Sequence, residues 1–277
     1  MLLARNNSKI TITLSLILGV ACLMLQGLIV FAASGDDEIS AAKQAEREGK
    51  IQEAETKYHE ALEIFKNSNR KLPMSFAYDS LGDLNLRQNK LSKAAEFYSK
   101  CVANLKETLS RGTDDEGKPF TDESTKLIQK DLGLAMLALG STYTRQEKYN
   151  EAKTSLFEAL NTIKKTFGPI HDCVGVALSA IGDLKFAQGL HVEAAQYYRQ
   201  ALAIRKKYHA QNDPNLRILN QNYAAVQKIL RSKEPKQSSE GNTSHNQVFI
   251  GFVINFSYSL STLSNSISAM RLQFCCP

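Results

Sequence analysis

Tryptophan is absent from this 277-residue chain, and there are only five cysteines and six prolines. The cysteines do not form regularly spaced pairs: Cys22 lies near the N-terminus, Cys275 and Cys276 are adjacent at the other end, and Cys101 and Cys173 alone lie between. A disulfide framework of the small secreted kind is thereby excluded. The 15 glycines show no triplet period, and with 43% hydrophobic residues the chain is neither collagen-like nor wholly disordered. A strong charge of one sign is also missing. The ends carry Arg5, Lys9, Lys233, Lys236 and Arg271 against Glu234 and Glu240, which leaves 29 basic and 26 acidic residues in the middle. So small and interleaved an excess gives no reason to expect nucleic acid as partner.

The ends differ from the middle. Arg5 and Lys9 precede an uncharged run, Ile10 to Ala33, followed at once by Ser34-Gly35-Asp36-Asp37-Glu38. A basic flank, an apolar stretch long enough for a bilayer and small residues near Ala32 and Ala33 predict a signal peptide or membrane anchor over 1–33, with the remainder exported. Residues 232–247 (SKEPKQSSEGNTSHNQ) have linker composition. From Val248 to the end the chain is apolar and Ser-rich, with Arg271 its one charge, and is expected to be a poorly ordered tail.

Residues 34–231 repeat. The segment Gly49-Lys50-Ile51-Gln52-Glu53-Ala54 recurs as Asn89-Lys90-Leu91-Ser92-Lys93-Ala94, as Glu147-Lys148-Tyr149-Asn150-Glu151-Ala152 and as Gly189-Leu190-His191-Val192-Glu193-Ala194. The alanines are spaced by 40, 58 and 42 residues, and Gly82, Gly140 and Gly182 each stand twelve positions before the last three. The long step is one period plus an insertion, 110–125, charged, Gly- and Pro-bearing and expected to be a solvated loop. Apolar residues follow a helical period within each unit, such as Leu134, Leu137 and Leu139, then Ala152, Leu156 and Ala159. Two short helices cannot bury their apolar faces alone, so the units must stack. Asn215 to Arg231, with Leu216, Leu219, Tyr223, Val226 and Leu230, supplies a capping helix, giving nine helices.

These residues resemble the tetratricopeptide repeat: Tyr78, Leu81-Gly82, Ala94, Tyr98 and Cys101 in one unit, Leu139-Gly140, Tyr143, Ala152, Leu156 and Ala159 in the next, Ile181-Gly182, Ala194, Tyr198 and Ala201 in the last. The period near 42, with the linker Phe167 to Val174, resembles the kinesin light chain type. The first unit departs, with Ala41-Ala42 in place of Leu-Gly. The resemblance implies an all-α, right-handed α-solenoid of about four helix pairs plus the cap.

No residue set supports catalysis. His171-Asp172-Cys173 combines suitable types, but neighbours on an extended linker point apart, and Asp172 reads instead as a helix N-cap. Cys101 stands where the family has Ala and reads as a buried filler. The five histidines are scattered without ligand spacing, so neither a metal nor a cofactor is expected. What remains is a surface. In such a solenoid the first helices line a concave groove, which here would place Asp79, Asp83 and Leu86, then Leu137, Ser141 and Arg145, then Ser179, Asp183 and Phe186, with Gln221 beyond, against a peptide of a partner protein. The three aspartates would make the groove attractive to basic and apolar residues. The expected function is thus a non-enzymatic, exported interaction module or scaffold. The alternative is a self-associating solenoid whose groove is filled by a neighbouring chain or its own tail.

Overall fold

The computed structural model describes residues 35–233. The expected export segment, nearly all of the linker and the apolar tail lie outside them. Regular structure within the described residues is all α: α1 (Asp36–Arg47), α2 (Ile51–Asn67), α3 (Lys71–Arg87), α4 (Leu91–Arg111), α5 (Asp122–Arg145), α6 (Tyr149–Phe167), α7 (Asp172–Ala187), α8 (His191–Arg205) and α9 (Pro214–Lys233). The fold class expected from the repeats is therefore found. The chain divides into two compact units, with the boundary inside α3 after Ala77.

The first unit contains α1 and α2, packed on each other. Ala42, Ala54 and Ala61 are fully buried and let the backbones approach, while Tyr58 and Phe65 fill the seam. A Cβ added to Gly35 would sit 2.5 Å from the Phe65 ring. Asp36, at the start of α1, pairs with Arg70 at 3.0 Å, and Lys43 Nζ lies 4.4 Å from the centroid of the Phe76 ring.

In the second unit each helix packs on the next, α4 on α5, α5 on α6, α6 on α7, α7 on α8 and α8 on α9, while α5 also touches α7 directly. That pattern of a first helix against its partner and against the next first helix explains why α5 and α7 are apolar almost all round: residues 132–142 and 173–184 are buried without interruption. The helix α9 covers α8 with Leu216, Leu219 and Val226, as expected of a cap.

One turn is used at each hairpin. Gly49, Asn89, Glu147 and Gly189 have φ between 58° and 76°. Each donates its N–H three residues back, and the next residue donates five back, as in Asn89 to Leu86 (3.0 Å) and Lys90 to Asn85 (2.8 Å). This is the Schellman closure, which satisfies carbonyls at the helix end. Asn69, between α2 and α3, has the same geometry.

The insertion differs from its expectation. Only residues 112–121 are outside helices, and the remainder extends α4 to 21 residues and α5 to 24. Two local signals set those limits. Gly112 closes α4 in the left-handed region (φ 72°), and the Thr121 hydroxyl accepts the Ser124 N–H, with Asp122 and Glu123 in the first turn of α5. Asp114 Oδ1 accepts the N–H groups of Glu116 and Lys118 to shape the tip.

Candidate functional site

The residues expected to line the groove fall in register on the first helices. Asp79, Leu137 and Ser179 form one row and Asp83, Ser141 and Asp183 a second, one place after the glycines. Leu86 and Phe186 sit a turn further on, and Arg145 follows next to the hairpin. The rows lie on α3, α5 and α7, of which α5 and α7 touch, yet the structure turns most of them inward. Asp79 (6% exposed), Asp83 (5%) and Asp183 (1%) are buried, as are Leu86, Leu137, Ser141 and Ser179. Arg145 and Phe186 are half-buried, and Gln221 is exposed. The expectation that the aspartates present charge to a ligand is corrected here.

A carboxylate at this position serves the helix seam instead. Tyr98 Oη donates to Asp83 Oδ1 at 2.5 Å, and Tyr198 Oη donates to Asp183 Oδ1 at 2.6 Å. The glycine beside each aspartate is what lets the ring in, since a Cβ on Gly82 or Gly182 would stand 2.5 or 2.7 Å from it. A buried phenol hydroxyl needs an acceptor, and the aspartate fifteen positions earlier is that acceptor. In the third pair Ser141 replaces the aspartate and Leu156 replaces the tyrosine, with Gly140 against Leu156. In the first pair, where Lys43 stands at the aspartate position, Tyr58 Oη donates to Glu46 one turn on, at 2.6 Å.

Burial raises the Asp183 carboxyl from 3.8 to about 7, against the opposing pull of hydrogen bonds from Tyr198 and Asn222. Burial likewise raises the Tyr198 hydroxyl well above 10. The same desolvation holds the Cys101 thiol far above its usual value and pushes Cys173 from 9.0 to about 11. Both thiols stay protonated at neutral pH, the opposite of what a nucleophile needs.

The start of α7 corrects a second expectation. His171, not Asp172, is the N-cap, its Nδ1 accepting the Cys173 N–H at 3.3 Å. Asp172 instead faces Arg205 Nε at 3.4 Å and His209 Nε2 at 2.9 Å. Arg205 is buried where the other pairs carry Phe65, Leu105 and Ile163, and Gly175 admits its stem, with a Cβ there 2.5 Å from Cγ. This cluster joins the start of α7 to the end of α8 and to the linker preceding α9. Among the described residues no group of three His, Cys, Asp or Glu side chains is placed to hold a metal ion, and no helix is long and apolar enough to cross a membrane.

A family model, the tetratricopeptide repeat, matches residues 40–107 and 131–207. Among solved structures, BtubC (BKLC) from P. vanneervenii superposes with a TM-score of 0.55 at 20% identity, covering 93% of this chain and 87% of that one. A Podospora anserina kinesin light chain protein with nearly identical tetratricopeptide-like repeats superposes at 0.50 with 16% identity, covering 85% and 95%. At these identities the likeness is one of fold. No curated protein matches the chain.

Proposed function

Because the chain belongs to the tetratricopeptide repeat family, whose repeats mediate protein–protein interaction, we propose that it is a non-enzymatic scaffold that takes a peptide segment of a partner protein along its first helices, outside the cytoplasm. The observation that carries the reading is the register of those helices: equivalent residues of α5 and α7 stand side by side because the two helices touch. The groups left accessible there are Arg145 and Phe186, with Gln221 on α9. The apolar run 10–33 behind Arg5 and Lys9 supports the compartment.

Photo-crosslinking in the native host tests the binding face. A photoreactive residue at Phe186 should trap a partner protein, whereas one at Phe157, exposed on the second helix α6, should not. Trapping at Phe157 alone would place binding on the opposite face, and trapping of a second copy at Phe186 would favour self-association. Protease protection in intact cells checks the compartment, and a cytoplasmic pool would remove that part of the reading.

A further inference from the structure

We propose that the hairpin edge between the second and third helix pairs is a docking cleft for an acidic peptide segment, a surface separate from the first-helix face above. Residues 89–93 form one wall and Gln146 and Lys148 the other, around an open cleft of about 680 Å³. Arg145 Nη2 donates to Asn89 Oδ1 at 2.7 Å and ties the two hairpins together. The cleft is thus held open before any ligand arrives, which lowers the ordering cost of binding.

Its charge is set by departures from the repeat. The position before each register alanine is Glu53, Glu151 and Glu193 in three pairs, but Lys93 in this one. In α4 the first turn accordingly carries no acidic residue, while α2, α6 and α8 each have one. Lys50, at the equivalent hairpin position in the first unit, is neutralised by Glu48 at 2.7 Å and Glu53 at 3.8 Å. Here Lys90, Lys93 and Lys148 are all exposed and the walls contain no carboxylate. The nearest acid along α4, Glu96, is bonded to Lys100 at 2.6 Å, and Lys148 Nζ rests 5.8 Å from the centroid of the Tyr143 ring. Glu147 and Glu151, beside Lys148 in sequence, are not part of the walls.

Three ammonium groups on two walls whose lining holds no carboxylate, with Glu96 outside it as the acid that Lys93 acts on, match a segment carrying several Asp or Glu side chains. The cleft lining includes no aromatic ring, so the stacking on which single-stranded nucleic acid binding relies is missing there. The Asp83 and Asp183 carboxylates do not oppose such a ligand, since both are buried on tyrosine hydroxyls.

Fluorescence anisotropy on the full chain tests the cleft with three labelled probes: a short peptide of alternating Glu and Ser, its Gln-for-Glu counterpart, and an oligothymidylate of equal length. The Glu peptide should bind at least tenfold more tightly than the Gln peptide and more tightly than the oligonucleotide. Lys93→Glu, which restores the residue type of the other pairs, should weaken the Glu peptide by about tenfold and flatten its salt dependence, and Lys93→Gln should weaken it by about threefold. Phe186→Ala should leave it unchanged, which separates this cleft from the first-helix face. Unaltered binding in both Lys93 variants, equal binding of Glu and Gln peptides, preference for the oligonucleotide, loss in Phe186→Ala, or no binding of the Glu peptide would each overturn the proposal.

Discussion

The third helix pair and the fourth solve one packing problem with different chemistry. Both seat a second-helix side chain on a first-helix glycine, Leu156 on Gly140 and Tyr198 on Gly182. The third seam has Leu156 against Gly140 and a buried Ser141 whose Oγ is unpaired, whereas the fourth buries a phenol and a carboxylate bonded at 2.6 Å. The two residues change together. A tyrosine fills more volume than a leucine, but its hydroxyl brings an obligation that only an acceptor in the facing helix discharges. The third pair therefore depends on shape alone, and the fourth on shape, a hydrogen bond and pH.

Exchanging the two solutions should produce the largest effect. Ser141→Asp alone places a carboxylate against Leu156 with no donor and should cost about 3 kcal/mol. Leu156→Tyr alone forces a larger ring onto Gly140 and leaves its hydroxyl only the Ser141 Oγ as acceptor, and should cost about 2 kcal/mol. The double variant rebuilds the pair seen at Asp183 and Tyr198, so urea denaturation should give a coupling of at least about 1 kcal/mol in favour of the double. Additive losses would show that the seams are not interchangeable.

A smaller effect comes from protons. The Asp183 carboxyl titrates near 7 when folded and near 4 when unfolded. Between those values the folded chain binds more protons, so the group's contribution is fully present below about pH 4 and is lost as pH rises through about 7. Asp183→Asn should accordingly be close to neutral below about pH 4, and more stabilising at pH 8 than at pH 5 by on the order of 2 kcal/mol. Melting temperatures of the two proteins across that range provide the check, and a constant difference would mean that the carboxyl is not held neutral.

The smallest change lies in the hairpins. Glu147 occupies the left-handed region (φ 61°) where the fourth pair has Gly189 (φ 76°). Glu147→Gly should raise stability by about 0.5–1 kcal/mol and Gly189→Ala lower it by a similar amount, read as opposite shifts in the urea midpoint. The same sign for both would separate the two turns despite their shared hydrogen bonds.

How far such features can be read from the chain depends on whether they repeat. The alanines at 54, 94, 152 and 194, and the glycines twelve positions before the last three, fix helix positions and stacking because each recurs with the period. Asp83 and Asp183 recur too, and helical register alone points them to the groove. What register omits is the partner: Asp83 stands fifteen residues before Tyr98 and Asp183 fifteen before Tyr198, and the pair is replaced as a unit by Ser141 and Leu156. That correlated change is visible in the bare sequence and points to contact. The extent of the insertion is hidden in the sequence for another reason. Its flanks lack a counterpart in other repeats, so only Gly112 and the Thr121-Asp122-Glu123 cap mark where helix resumes. The Lys93 cleft needed the structure, because the opposite wall belongs to a hairpin more than fifty residues away.

The connection between α4 and α5 has a consequence for engineering. Its ends are clasped by the Phe120 N–H on the Gly112 carbonyl at 3.0 Å, and its tip, Glu116-Gly117-Lys118, is exposed. A foreign domain whose own termini lie close together could be spliced in at Gly117 without changing the separation the two helices require. The clasp would isolate the guest from the repeats, making this tip a natural port for a reporter, whereas the hairpins within the helix pairs are three-residue turns with no length to spare.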